Sequence, residues 1–130
     1  MRILLAEDDN DMRRFLVKAL ENAGYDVASF DNGMSAYNRL REEPFDIVLL
    51  DVHMPVMDGK EAIKRMRAAP EAWSKLPVIA LTADAMSGDR ERYLALGMTD
   101  YVSKPLDQRE LTSKIAAAMG ERELIAGIAA

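Results

Sequence analysis

Cysteine is missing from this 130-residue chain, which excludes disulfides and thiolate metal sites and is compatible with folding in a reducing cytoplasm. No apolar run approaches the roughly 20 residues that a membrane-spanning helix needs. No Lys/Arg cluster stands clear of acidic neighbours, and the net charge is −5. Electrostatics therefore give no support for binding nucleic acid or an anionic membrane. Long linkers, low-complexity tracts and short repeats are also absent. The N-terminus enters an apolar run almost at once, leaving no room for a signal peptide, so a cytoplasmic soluble protein is expected. The length suits one domain, placed at residues 1–119, with 120–130 as a short extension of the last helix or a tail.

What the chain does have is four short apolar runs, each ending in polar chemistry. Ile3-Leu4-Leu5-Ala6 runs into Glu7-Asp8-Asp9, Ile47-Val48-Leu49-Leu50 into Asp51, Val78-Ile79-Ala80-Leu81 into Thr82-Ala83, and Tyr101-Val102-Ser103 into Lys104-Pro105. Such runs, separated by helical stretches, read as buried parallel strands. Strands are expected near 2–6, 25–30, 46–50, 77–81 and 99–102. Helices are expected near 11–23, 34–42, 59–68, 86–96 and 107–119. Met12, Leu16, Ala19, Leu20 and Ala23 form a one-sided stripe on the first helix, and Gly24 stands where its C-cap belongs. Asp9 or Asn10 can cap that helix and Asp107 the fifth. Asp31-Asn32-Gly33 and Asp58-Gly59 are turn signals before the second and third, and Gly97 ends the fourth.

Strand and helix alternate five times, which predicts an α/β fold. A doubly wound, five-stranded parallel sheet of order 2-1-3-4-5, flavodoxin-like with five helices, is the common solution. In such a sheet ligands bind beyond the carboxyl ends of the strands, at the switch point between strands 1 and 3. Those are the strands that end in Glu7-Asp8 and Asp51.

Three carboxylates at neighbouring strand ends repel one another unless a counter-charge sits among them. Mg²⁺ fits, because it takes oxygen ligands, retains waters and is commonly held by one or two carboxylates plus phosphate. Asp51 at a strand end can act as a nucleophile toward phosphorus, giving an acyl phosphate. Lys104, the Thr82 hydroxyl and the backbone N–H of Ala83 can hold phosphoryl oxygens. Alone, Lys104 would be a surface lysine and Thr82 a strand-end threonine; their placement after the last two strands argues for a shared site.

These motifs, with Asp51-Val52-His53-Met54-Pro55-Val56-Met57-Asp58-Gly59 and Leu81-Thr82-Ala83-Asp84-Ala85, resemble a response-regulator receiver domain of the chemotaxis-regulator type, over residues 2 to about 119. The resemblance implies that Asp51 is the phosphoacceptor, supplied by a histidine kinase or histidine phosphotransferase. It implies Mg²⁺ contacted directly by Asp8 and Asp51, by Glu7 mostly through water, and by the backbone carbonyl of His53. Catalysis falls to Asp51, Lys104 and Thr82, and phosphate binding to Thr82, Ala83 and Lys104. Thr82 and Tyr101 become the switch pair that reshapes the surface of helix 4, strand 5 and helix 5 for a downstream protein. The Lys104–Pro105 peptide is expected to be cis. The side chains of His53 and Asp84 are placed to tune phosphate loss. Met12 and Phe15 lie on the helix that docks the phosphodonor's helical bundle in this family, while Leu16 and Leu20 face the core. Most of the nine methionines are expected in the core. The domain catalyses its own aspartyl phosphorylation and dephosphorylation, but its role is that of a switch.

Two other classes are compatible with this fold. One is a binding adaptor that works without phosphorylation; such chains usually lack part of the acid pair, the acceptor or the lysine, all present here. The other is a metal-dependent phosphohydrolase, which normally carries Asp-x-Asp where this chain has Asp51-Val52-His53.

Overall fold

The computed structural model describes residues 1–54, 56–83 and 89–129. Five strands, β1 (Arg2–Ala6), β2 (Asp26–Phe30), β3 (Ile47–Asp51), β4 (Val78–Thr82) and β5 (Asp100–Ser103), form one parallel sheet in the order β2-β1-β3-β4-β5. Between and after them run α1 (Asn10–Asn22), α2 (Gly33–Glu42), α3 (Gly59–Ala68), α4 (Asp89–Leu96) and α5 (Gln108–Ala129), with a 3₁₀ turn at Ala72–Lys75 before β4.

Strand side chains alternate between the two faces of a sheet, and both faces here are covered. Ile3, Leu5, Ile47, Leu49, Ile79, Leu81 and Val102 pack on one side with Leu16 and Leu20 of α1 and Leu111 and Ile115 of α5. Leu4, Val48, Leu50, Val78 and Ala80 pack on the other with Leu40 of α2, Ile63 and Met66 of α3, and Tyr93 of α4. β3 and β4 are buried at every residue, as the unbroken apolar runs require. Of the methionines, Met57, Met66, Met98 and Met119 are buried, and Met12, Met34 and Met54 pack partly buried against the core.

Helix entries follow the turn chemistry. Asp9, Asn32 and Asp58 each accept from the backbone N–H three residues on, at Met12, Ser35 and Glu61. Asp107 accepts from Arg109 N–H at 2.8 Å. Gly24 and Gly97 take left-handed φ values of 95° and 107°, which a side chain would resist.

Most element bounds fall within a residue of expectation, and one of those shifts bears on the site. β3 runs one residue further, to Asp51, which pairs with Leu81, and Val52 N–H still bonds Leu81 O at 3.0 Å. Asp51 is thus held by the ladder itself rather than by the loop after it. The last helix continues past 119. It runs on to Ala129, the first of the two courses expected for 120–130, since no proline follows Pro105. The expected start of the fourth helix at 86 lies outside the described residues.

Candidate phosphoacceptor site

β1, β3, β4 and β5 deliver their last residues to one edge of the sheet. β1 continues past Ala6 far enough for Glu7 N–H to bond Phe30 O at 3.0 Å. Arg13 of α1 donates to Glu7 O at 2.9 Å, fixing the bend between strand and helix. The Glu7 side chain is consequently turned inward, at 0% exposure, while Asp8 is exposed. Candidate ligand oxygens of Glu7, Asp8 and Asp51 lie within 4.8 Å of one another.

Lys104 bridges the acids. Its Nζ lies 2.6 Å from Glu7 Oε1 and 3.2 Å from Asp51 Oδ2. Asp51 Oδ1 accepts the His53 backbone N–H at 3.2 Å. Oε1 of Glu7 is thus ion-paired with the ammonium, while Oε2 is buried with no hydrogen-bond partner among the described residues. Buried oxygens in that condition are costly.

Electrostatics separate the two carboxyls. Burial, together with the neighbouring Asp51, pushes Glu7 up to about 8, against the pull of Lys104. Burial also acts to raise Asp51, but the Glu7 carboxyl, the Lys104 ammonium and the His53 N–H outweigh it and hold Asp51 below the usual carboxylate range. Lys104 is raised: burial opposes its charge, and the two acids more than compensate. The site therefore holds Asp51 as an anion, with a lysine aimed at the same oxygen face. Its donors are hard oxygens gathered within 4.8 Å of one another, which is the environment a small divalent cation fits.

The loop over Asp51 is tight. A Cβ on Gly59 would lie 2.4 Å from Asp51 O, and one on Gly33 2.1 Å from Met57 O, so only glycine lets α3 and α2 start this close. Val56, 81% exposed, takes a φ of 69°, an uncommon value for a β-branched residue.

Of the remaining residues singled out in the sequence, Thr82 ends β4 fully buried and Ala83 follows it exposed. Lys104 N–H bonds Thr82 O at 2.7 Å, joining the two strand ends, and the Lys104–Pro105 peptide is cis. His53 is exposed. Tyr101 is half-buried, its ring 5.8 Å from that of Tyr93, with Lys114 Nζ 4.9 Å from its centroid. Phe15 on α1 is 48% exposed, whereas Leu16 and Leu20 are buried, as the helical stripe implies. Asp84 and Pro55 lie outside the described residues.

Sequence reasoning missed Tyr93. Its hydroxyl lies 2.9 Å from Thr82 Oγ1, and it is 2% exposed. The available signal was a large aromatic after the charged run Asp89-Arg90-Glu91-Arg92, which has to turn toward the sheet.

Comparison with known proteins agrees with this geometry. Residues 3–116 match the model of the response regulator receiver domain. The response regulator receiver protein CpdR of Brucella abortus is 49% identical over 114 residues, covering 88% of this chain and 92% of that protein. The sensor protein GacS of Pseudomonas syringae is 41% identical over 115 residues, but these make up only 13% of its length. Among solved structures, the receiver domain of the Pseudomonas aeruginosa sensor histidine kinase PA1611, described with a magnesium ion coordinated in its active-site cleft, superposes with a TM-score of 0.83 at 36% identity. The match covers 92% of this chain and 97% of that one. The Francisella response regulator 1452 receiver domain gives 0.86 at 26% identity, covering 93% and 98%. A sheet of order 2-1-3-4-5 that gathers its acids and a lysine at one edge, in a chain with these relatives, belongs to the response regulator receiver domains of two-component signalling.

Proposed function

We propose that this receiver takes a phosphoryl group from a phosphohistidine onto Asp51 and uses it as a switch. The observation that carries this is the environment of Asp51: a buried, depressed carboxylate between the His53 N–H and the Lys104 ammonium. An Asp51 carboxylate oxygen attacks phosphorus, an O–P bond forms, and the P–N bond to the donor imidazole breaks. Lys104 stays beside the acceptor as a point charge for a phosphoryl oxygen, and Thr82 Oγ1 and Ala83 N–H take the others. Mg²⁺ would be held by Asp8, Asp51 and the His53 carbonyl, with Glu7 through water, and would supply neutralisation of the charge on the transferring oxygens. Exposed Phe15, with Met12 on the same helix, offers apolar contacts for the donor's helical bundle. Loss of the phosphate to water or to another histidine resets the domain.

Intact-mass measurement after acetyl phosphate and Mg²⁺ tests this. The expected result is one stable phosphate on the parent and none on Asp51→Asn, which keeps its fold. Stoichiometric phosphate on Asp51→Asn would overturn the assignment. No adduct on the folded parent would point to a phosphorylation-independent adaptor, and rapid multiple turnover to a phosphohydrolase.

A further inference from the structure

Thr82 has a hydroxyl neighbour. Its Oγ1 and the Tyr93 hydroxyl lie 2.9 Å apart, and either oxygen can donate. Thr82 is fully buried and Tyr93 is 2% exposed, so neither reaches bulk water. Tyr93 projects from α4 into the core beside Val78 and Ala80. Its ring also meets Tyr101, with centroids 5.8 Å apart and planes at 46°. One side chain therefore touches both members of the switch pair.

We propose that Tyr93 is a positioning residue for Thr82, holding its hydroxyl on the α4 side until the phosphoryl group on Asp51 draws it away. This rests on Asp51 being the phosphoacceptor. When Thr82 turns to the phosphoryl oxygen, its bond to Tyr93 breaks, and the tyrosine hydroxyl is left buried without that partner. The resting state is thereby favoured, and occupancy of Asp51 has to overcome the bias. Tyr93 also carries the movement onward, because its ring packs on Tyr101.

Tyr93→Phe removes the hydroxyl and keeps the ring that fills the core. Beryllofluoride with Mg²⁺ stands in for the phosphoryl group on Asp51, and amide NMR shifts of Ala83 and Tyr101 read its binding. A buried hydroxyl losing its partner corresponds to about tenfold in an equilibrium constant, so Tyr93→Phe is expected to saturate at about one-tenth of the parent's concentration. The shift end-points remain those of the parent. In a Thr82→Ala background, adding Tyr93→Phe is expected to change nothing, because the bond is already gone. A merely structural tyrosine would move thermal stability in both backgrounds and leave beryllofluoride affinity alone. Equal or weaker binding by Tyr93→Phe overturns the proposal, as does a gain that persists with Thr82→Ala. A folded parent that gives no saturable response overturns the phosphoacceptor assignment itself, and the Tyr93 proposal with it.

Discussion

The two edges of the sheet treat buried charge in opposite ways. At the amino edge, Arg67 of α3 is saturated by backbone: it donates to Gly97 O at 2.9 Å, Ser74 O at 2.8 Å and Leu76 O at 2.7 Å. Burial lowers its pKa, yet an arginine remains charged there. Arg2 does similar work at the start of β1, pairing with Asp26 and Glu43 and stacking its guanidinium 4.7 Å from the Phe45 ring centroid. Val78 N–H is held by Thr99 Oγ1 at 3.0 Å. At the carboxyl edge, two buried carboxyls share one lysine. One edge is closed by satisfied contacts and fixes the strand ends. The other keeps charge imperfectly compensated, ready for a cation and a phosphoryl group to complete it. Stability and chemistry are thus segregated along the strand axis.

The contrast breaks most visibly if the acids are removed one at a time. Asp8→Ala is expected to weaken Mg²⁺ binding by on the order of 100-fold or more, since on the proposed reading it removes a directly coordinating carboxylate. Glu7→Ala, acting through water, is expected to cost about tenfold. Isothermal titration with Mg²⁺ measures both; equal affinity of Asp8→Ala and parent would put the wrong acid beside the ion. Trp73 is a poor reporter for this titration, because it stacks edge-on with Tyr37 at 5.9 Å just before β4, at the opposite edge.

The reciprocal change is at the amino edge. Arg67→Ala strips three carbonyls of a charged donor and is expected to cost about 3 kcal/mol. Urea unfolding reads that loss, while the folded fraction still accepts phosphate at the parent's rate. If Arg67→Ala instead abolished phosphorylation in folded protein, the two edges would not be separable.

Lys104→Ala is expected to accept phosphate still, but to leave the shifts of Thr82 and Tyr101 near their resting values when beryllofluoride is added. The substitution removes the ammonium beside Asp51 and keeps the backbone N–H on Thr82 O, so only the proposed link through the ammonium is lost. An unchanged shift pattern and saturation would reduce it to a solvated charge.

A smaller effect appears in pH. Glu7 is raised from 4.5 to about 8 in the folded, metal-free protein. Its contribution to stability is therefore fully present below its unfolded value and is lost as pH rises toward 8. Asp51, lowered, contributes in the opposite sense and loses its share as pH falls through its folded pKa. In EDTA, the melting temperature of Glu7→Gln is expected to fall less than the parent's between pH 5 and pH 8 (an interval set by the two ends of the shift). Parallel melting curves for the two proteins would show that Glu7 does not titrate there.

Much of the fold was legible because each local signal agreed with the next. Asn32, Asp58 and Asp107 are turn and cap residues wherever they stand, and four apolar runs of strand length, each ending in a functional group, leave few topologies. The strand ends were less legible, since no pattern says that β3 keeps pairing through Asp51 or that the hydrogen bonding of β1 extends one residue past Ala6, to Glu7 N–H. That extension, with Arg13 on the Glu7 carbonyl, is what buries the glutamate beside Lys104. The Thr82–Tyr93 bond was illegible for a different reason. It joins a strand end to a helix eleven residues on, and its geometry depends on how α4 lies against the sheet. The sequence left 120–130 open between a helix extension and a tail because Gly120 and Gly127 weaken a helix, yet α5 runs through both to Ala129.

The most direct test locates the phosphoryl group. The parent, phosphorylated with acetyl phosphate in Mg²⁺, is treated with borohydride, which reduces an acyl phosphate on aspartate to homoserine, and its peptides are sequenced by mass spectrometry. Conversion confined to Asp51, and none when Mg²⁺ is withheld, is the expected result. Conversion at Asp8 or another acid, with Asp51 intact, would contradict the assignment of the acceptor and the division between the two edges that depends on it.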